Sequence, residues 1–356
     1  EIVVEATGDP EAGAAHALAA IEAGIGVAMV SKEAECVVGP ILATKARAAG
    51  VPYTLVDGDQ PALLIGLISW ARTLGLPIVM AGKSSEYDYV FDPATGRTRW
   101  LTQEVESAGL ATLMTLDDDP AATLAARAAA LAALPQRTVP DYCEMALVAN
   151  ATGLLPARPD FLAPLARTPE LPEVYGPCDA GALDVFNCLR RPDEASFAGG
   201  VFVVVELADA RTGALFAGKG IPVSRDGRRA LIYNPSHLLG VEAPVSVMAA
   251  GRLGHSILDA SYRPVVDLVA RAERDLPAGH VLAIEGNRHA VPGLAALLLP
   301  AEAALSAAPL PYYMAVGRRL RRAVTAGELI RCDAVEPPGD STLWRLRAEQ
   351  DAMFTT

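Results

Sequence analysis

Short apolar runs alternate with stretches of helical periodicity over the first eighty or so residues. Ile2–Glu5, Val27–Val30, Pro52–Val56 and Pro77–Met80 read as buried strands. Between them lie predicted helices from Asp9 to about Ala23, from Gly39 to Ala49 and from Pro61 to Leu74, the first with Asp9 as N-cap and Pro10 at the opening helical position. Continuously apolar strands joined by helices predict a parallel sheet covered on both faces, a doubly wound α/β region with right-handed crossovers. Further along the pattern changes. The stretch "AATLAARAAALAAL" reads as an Ala-rich helix interrupted by Arg127, and "DYCEMALVANATG" (141–153) as another helix. A β run (201–207), a strand (229–233) and a helix from about Ser236 to Arg252 complete an α+β region suited to substrate binding or dimerisation. The proline-rich segment 151–177 reads as a long ordered loop and a possible lid.

The last part of the chain repeats itself. "RDLPAGHVL" (274–282) and "RAVTAGELI" (322–330) align at a fixed offset, which predicts the same turn built twice in a small all-β unit. Three domains follow from these changes of pattern, at 1–81, 82–262 and 263–356.

Ligands of parallel α/β sheets sit beyond the carboxyl ends of the strands. Here those ends read "EATGDP" (5–10), "VSKEAE" (30–35), "VDGDQP" (56–61) and "MAGKSSEYD" (80–88), and they gather Lys32, Lys83, Glu33, Asp59 and Gln60. The lysines stand out, because Lys32, Lys45, Lys83 and Lys219 are the only ones in a chain rich in arginine. Lysine, unlike arginine, can shift its pKa and trade a proton. Two familiar motifs fail. "AGKSS" lacks the glycine of a phosphate loop, since Pro77 stands in its place, and G-x-G-x-x-G does not occur.

Composition narrows the partners. A net charge of −12 over 356 residues disfavours nucleic acid and anionic membrane surfaces. No apolar run is long enough to span a bilayer, so a soluble, cytoplasmic protein with a small-molecule substrate is expected. The five cysteines (36, 143, 178, 188 and 332) form no C-x2-C pair, and neither a disulfide framework nor a metal site is suggested.

Taken in order, "EATGDPEAGAAHALAAIEAGIGVAMVSKEAECVVGP", "GDQPA", "AGK", "EMALVANATG", "YNPSHLLGVEAPVSV" and "GRRLRRAVTAGELIRCDAV" resemble one family over nearly the whole chain. It comprises oxidoreductases with a homoserine-dehydrogenase-like NAD(P) domain followed by a SAF module of the β-clip type, including the DXR-like (1-deoxy-D-xylulose 5-phosphate reductoisomerase-like) enzymes. The resemblance implies a Rossmann-like domain whose N-terminal, phosphate-gripping half is missing ahead of Glu1, and a dinucleotide, NADP or NAD. It also implies that Ala6, Thr7, Gly8 and Ser31 line the nicotinamide side, that residues 263–356 form the SAF-like domain, and that the protein is a homodimer or homotetramer. The chain departs from the family in two places. Ser31-Lys32-Glu33-Ala34-Glu35 replaces the usual Asn-Val-Glu-Ala-Asp and partly restores the Asn-Lys pair of homoserine dehydrogenases. Arg137-Thr138-Val139-Pro140 replaces Asp-Gly-Thr-Lys, leaving Asp141 as the nearest acid.

Carbonyl reduction needs a hydride donor, an acid for the nascent alkoxide and a cation to hold its charge. Lys32 and Lys83 are the expected catalytic residues, their pKa lowered by desolvation, with Asp59 or Glu144 orienting them. Gln60, Glu33 and His237 are expected to bind the substrate, His237 from the start of a helix. The expected activity is an NAD(P)-dependent oxidoreductase or reductoisomerase acting on a small, polyhydroxylated, anionic carbonyl compound. A lyase or isomerase on the same scaffold, or a non-catalytic sugar-binding protein, are the alternatives.

Overall fold

A computed structural model describes residues 1–176, 181–285, 289–304 and 307–354; Cys178 lies outside them. The chain begins β1 (Ile2–Glu5), α1 (Pro10–Glu22), β2 (Gly26–Met29), α2 (Lys32–Ala49), β3 (Tyr53–Leu55), α3 (Gln60–Thr73) and β4 (Ile78–Ser84). It continues through β5 (Tyr89–Asp92), β6 (Arg97–Trp100), β7 (Gln103–Glu106), α4 (Pro120–Ala130), α5 (Val139–Thr152), β8 (Leu155–Pro156), β9 (Leu165–Ala166) and α6 (Leu171–Val174). It closes with β10 (Ala182–Arg190), β11 (Val201–Glu206), α7 (Ala210–Ala217), β12 (Arg229–Asn234), α8 (Leu239–Leu253), β13 (Val266–Ala272), β14 (Leu294–Pro300), α9 (Tyr312–Ala315) and α10 (Thr342–Phe354).

These elements form two compact units, each assembled from discontinuous segments. One comprises Glu1–Ala62, Thr138–Gly153 and Leu238–Thr356, the other Leu63–Arg137 and Leu154–His237. Boundaries at 81/82 and 262/263 therefore do not separate compact units, because the chain leaves the first unit inside α3 and twice returns to it.

In the first unit β1, β2 and β3 pair in parallel, in that order. The order never reverses, so these three strands contain no switch point of the doubly wound kind. Helix α1 starts as its sequence dictates: the Asp9 carboxylate accepts the Ala12 N–H at 2.7 Å, and Pro10 takes the first turn. Helix α2 does not. Gly39-Pro40 looked like a start, yet the helix opens at Lys32 and carries Pro40 in its interior. The cost of one missing backbone donor is offset by burial, since Val37, Val38, Ile41 and Leu42 are all inaccessible. Lys32 and Glu33 consequently occupy a first helical turn instead of a loop.

The C-terminal repeat folds as a pseudo-two-fold. Arg271 bridges Leu329, Leu276 bridges Val324 and Val281 bridges Arg319, so each copy pairs with the other in reciprocal register. The same turn closes both copies, with Gly279 at φ 84° and Gly327 at φ 89°. The region is not all-β, however. It ends in α10, which packs on α1 and α2, and is held to β13 by the buried Arg347, whose guanidinium grips Asp267 at 2.6 and 2.8 Å.

The second unit is built on a nine-stranded mixed sheet, ordered β12-β11-β4-β10-β5-β6-β7, with β8 and β9 also paired to β10. Strand β4, expected as the fourth strand of the first sheet, lies here between antiparallel β11 and parallel β10. An apolar run reads the same in either sheet; pairing partners far along the chain decide between them. Arg127 does not interrupt α4 but anchors it, fully buried and bidentate to Glu170 at 2.7 and 3.0 Å. The proline-rich segment is hydrogen-bonded to the sheet and to Arg137 at residues 160–163. Asp184 accepts the N–H groups of Leu162 and Ala163, Arg137 donates to the carbonyls of Asp160 and Phe161, and Asn187 donates to that of Ala163.

Candidate active site

At the carboxyl end of β1 the chain turns through Ala6-Thr7-Gly8 into α1. Glu5, buried at the strand end, accepts the Thr7 hydroxyl at 2.7 Å and faces the His16 ring at 3.3 Å. Burial raises its pKa, but hydrogen bonds from Ser31, Thr7 and His16 outweigh this and hold it below the usual value. Ser31, the N-cap of α2, makes no capping bond with its side chain. Its hydroxyl accepts the Gly8 N–H at 2.9 Å instead, bringing together two of the residues expected at the nicotinamide.

One residue further on, the Lys32 ammonium lies 3.0 Å from Asp59 and 3.0 Å from Glu144. Asp59 directly precedes α3, where its carboxylate also accepts the Gln60 N–H at 3.1 Å; Glu144 comes from the buried helix α5. Burial pushes the Lys32 pKa down, but Glu144 and Asp59 overcompensate and the net shift is upward. The expected lowering does not occur: the Lys32 amine stays charged. Glu33 behaves oppositely, because burial lifts its carboxyl above the ordinary value despite His289 at 3.3 Å.

A cleft of about 490 Å³ opens beside Thr7 and Gly8. Its walls include His289, Arg318, Tyr313 and Trp344, and its rim carries Asp9, Glu11 and Asp340. Glu33 touches His289 and Ser31 touches Gly8, so the Lys32 cluster and the cleft adjoin through two side-chain contacts. His289, Arg318 and Trp344 escaped the sequence reading, because nothing in their local pattern links them to β1 some three hundred positions earlier.

Of the expected site residues, Lys32, Asp59, Glu144, Gln60, Glu33, Ala6, Thr7, Gly8 and Ser31 belong to the first unit. Lys83 and His237 belong to the second. Lys83 is not in a strand-end loop but within β4, buried and in register with Val185 and Val201. His237 does not open α8, which starts two residues later at Leu239. Among the described residues no cluster of histidine, cysteine and carboxylate side chains could hold a metal ion, and no helix is long and apolar enough to cross a membrane.

The first unit thus sets a charged lysine between two carboxylates, next to an open cleft. The comparison with known families specifies the class of the protein: residues 58–243 match the family described as oxidoreductase DRL, catalytic domain. The chain belongs to the DRL oxidoreductases and is an oxidoreductase. No curated protein matches it. The matched span includes Asp59, Gln60, Lys83, Glu144 and His237, whereas Lys32 and the cleft residues lie outside it.

Proposed function

We propose that the protein is an NAD(P)-dependent oxidoreductase reducing or isomerising a small, polyhydroxylated carbonyl compound, with Lys32 as the cation of its active site. The observation that carries this reading is the Lys32–Asp59–Glu144 cluster adjoining the cleft at Thr7 and Gly8. The residues present suit the nicotinamide end of such a cofactor. The cleft combines the aromatic side chains of Tyr313 and Trp344 with a rim of three carboxylates against Arg318 and His289, a setting that suits a flat nicotinamide ring, cationic once it has given up its hydride, better than phosphates. Thr7, Gly8, Ser31 and His289 would hold that end; when bound, it supplies the hydride.

Lys32, fixed by two carboxylates, donates a hydrogen bond to the substrate oxygen and holds the charge that develops there. With its pKa raised Lys32 keeps its proton, so the acid role passes to Glu33, whose carboxyl burial holds above the ordinary value and so favours its protonated form. His289 reaches Glu33 from the cleft and completes a path for that proton. Asp59, Glu144 and Glu33 outnumber Lys32, so any anionic group of the substrate is left to Arg318, which forms no ion pair among the described residues.

Calorimetric titration with NADH and NADPH, followed by turnover on a panel of hydroxylated aldehydes and ketones, tests the proposal. Binding of one dinucleotide is expected, and Lys32→Met should lower turnover by more than about tenfold with folding intact, the scale of losing one charged donor at a developing oxyanion. Absence of dinucleotide binding sinks the redox reading, and full turnover by the Lys32 variant sinks its role.

A further inference from the structure

The second unit holds a cavity that the chemistry above does not use. It has a volume of about 350 Å³ and lies beyond the carboxyl ends of the parallel strands β9 and β10, within the size range of small-molecule sites. Three stretches of chain build it, at 167–169, 188–190 and 194–197, closed by Pro222, Tyr233 and Pro235. One wall is apolar: the ring of Tyr233 packs against Phe197 with centroids 5.4 Å apart, beside Leu189.

The polar groups of the lining are unevenly used. Arg190 donates from Nε to Asp88 at 2.6 Å and from Nη1 to the carbonyls of Arg191 and Glu194, which leaves Nη2 without an acceptor among the described residues. The Nε of Arg167 is likewise without one. The Ser196 hydroxyl accepts the Ala198 N–H but donates to nothing, and the Tyr233 hydroxyl has no partner among the described residues. Every strong acceptor is taken. The two oxygens of Glu194 receive Arg167 Nη2 and the Arg191 N–H. The lining thus offers donors and lacks acceptors, and donors left unmet in a partly buried site favour a ligand that supplies them.

We propose that this cavity is a second ligand site, taking a small organic anion with a flat apolar body, such as an aromatic carboxylate. The body lies against Tyr233, Phe197 and Leu189, and the carboxylate faces Arg190 Nη2 and the hydroxyls of Ser196 and Tyr233. Arg190 is held in place from behind by the buried Asp88, so its remaining donor is preorganised.

Benzoate is the probe, with benzylamine as its charge-reversed counterpart, each titrated calorimetrically into the whole chain. Benzoate is expected to bind and benzylamine is not. Ser196→Trp, a substitution on an exposed loop that fills the cavity, should weaken benzoate by at least about tenfold, and Tyr233→Phe by a smaller factor, the scale expected of a blocked pocket and of one hydrogen bond. Thermal unfolding of both variants confirms that they fold. The proposal is overturned by no benzoate binding, by equal binding of both probes, or by unchanged benzoate affinity in a folded Ser196→Trp protein.

Discussion

The ammonium of Lys32 sits 3.0 Å from each of two carboxylates, and that geometry decides what the residue can do. Burial alone would favour the neutral amine; Glu144 and Asp59 reverse the sign. Removing both counter-charges in an Asp59→Asn, Glu144→Gln protein leaves burial dominant, so the Lys32 pKa should fall below its value in the parent protein. With only four lysines in the chain, NMR titration of protein labelled at lysine 13Cε resolves them individually. A Lys32 signal that titrates at the same pH in both proteins contradicts this electrostatic account. Lys32 and Asp59 were legible in the sequence because strand ends of parallel sheets collect functional side chains, whereas Glu144 was expected beside them from a helix and not from a strand end. The proton affinity of Lys32 was misjudged, because a pKa depends on distances that spacing along the chain does not contain. His289 was illegible for the same reason, as its partner Glu33 lies more than two hundred positions away.

Among the elements, those with local causes were read most reliably. Helix α1 carries its own start signal in Asp9 and Pro10, and the repeated turn carries its glycines. Helix α2 and strand β4 misled because tertiary packing overrode local signals: burial retains Pro40 inside a helix, and partners far along the chain draw β4 into the second sheet. The repeat supplies an internal control. A Cβ on Gly327 would meet nothing within 4 Å, and one on Gly279 only the Arg319 guanidinium at 4.0 Å, so alanine at either place adds backbone strain and almost no clash. Both turns hold φ above 80°, where an L-residue costs about 1–2 kcal/mol. Gly279→Ala and Gly327→Ala should therefore destabilise by similar amounts of that order in urea denaturation. A large difference between them means that the two turns are not equivalent in energy, whatever their geometry.

For the molecule as a whole, each unit carries a fully buried carboxyl whose proton affinity is far from ordinary. In the first, Glu35 is inaccessible and accepts the hydroxyls of Tyr53 and Tyr262; burial outweighs both bonds and pushes its pKa up to about 7. In the second, Asp184 is raised to about 7 by burial, against hydrogen bonds from Tyr175 and from the backbone of the fastened loop. Their ordinary values are 4.5 and 3.8, so between roughly pH 4 and 7 the folded chain keeps protons that the unfolded chain has lost. Stability should fall as pH rises through this window and level off above it. Carboxylates with lowered pKa, such as Glu5 and Glu194, act in the opposite sense but only at lower pH, as they are protonated below their ordinary value. Melting temperatures measured from pH 5 to 8 should therefore decline toward the alkaline side. Glu35→Gln, which imitates the protonated carboxyl in shape and keeps an acceptor for the tyrosines, should flatten that decline, and Asp184→Asn should do the same independently. An unchanged slope in both variants shows that the two carboxyls are already ionised in the folded protein, and that the tyrosine and backbone donors outweigh burial after all.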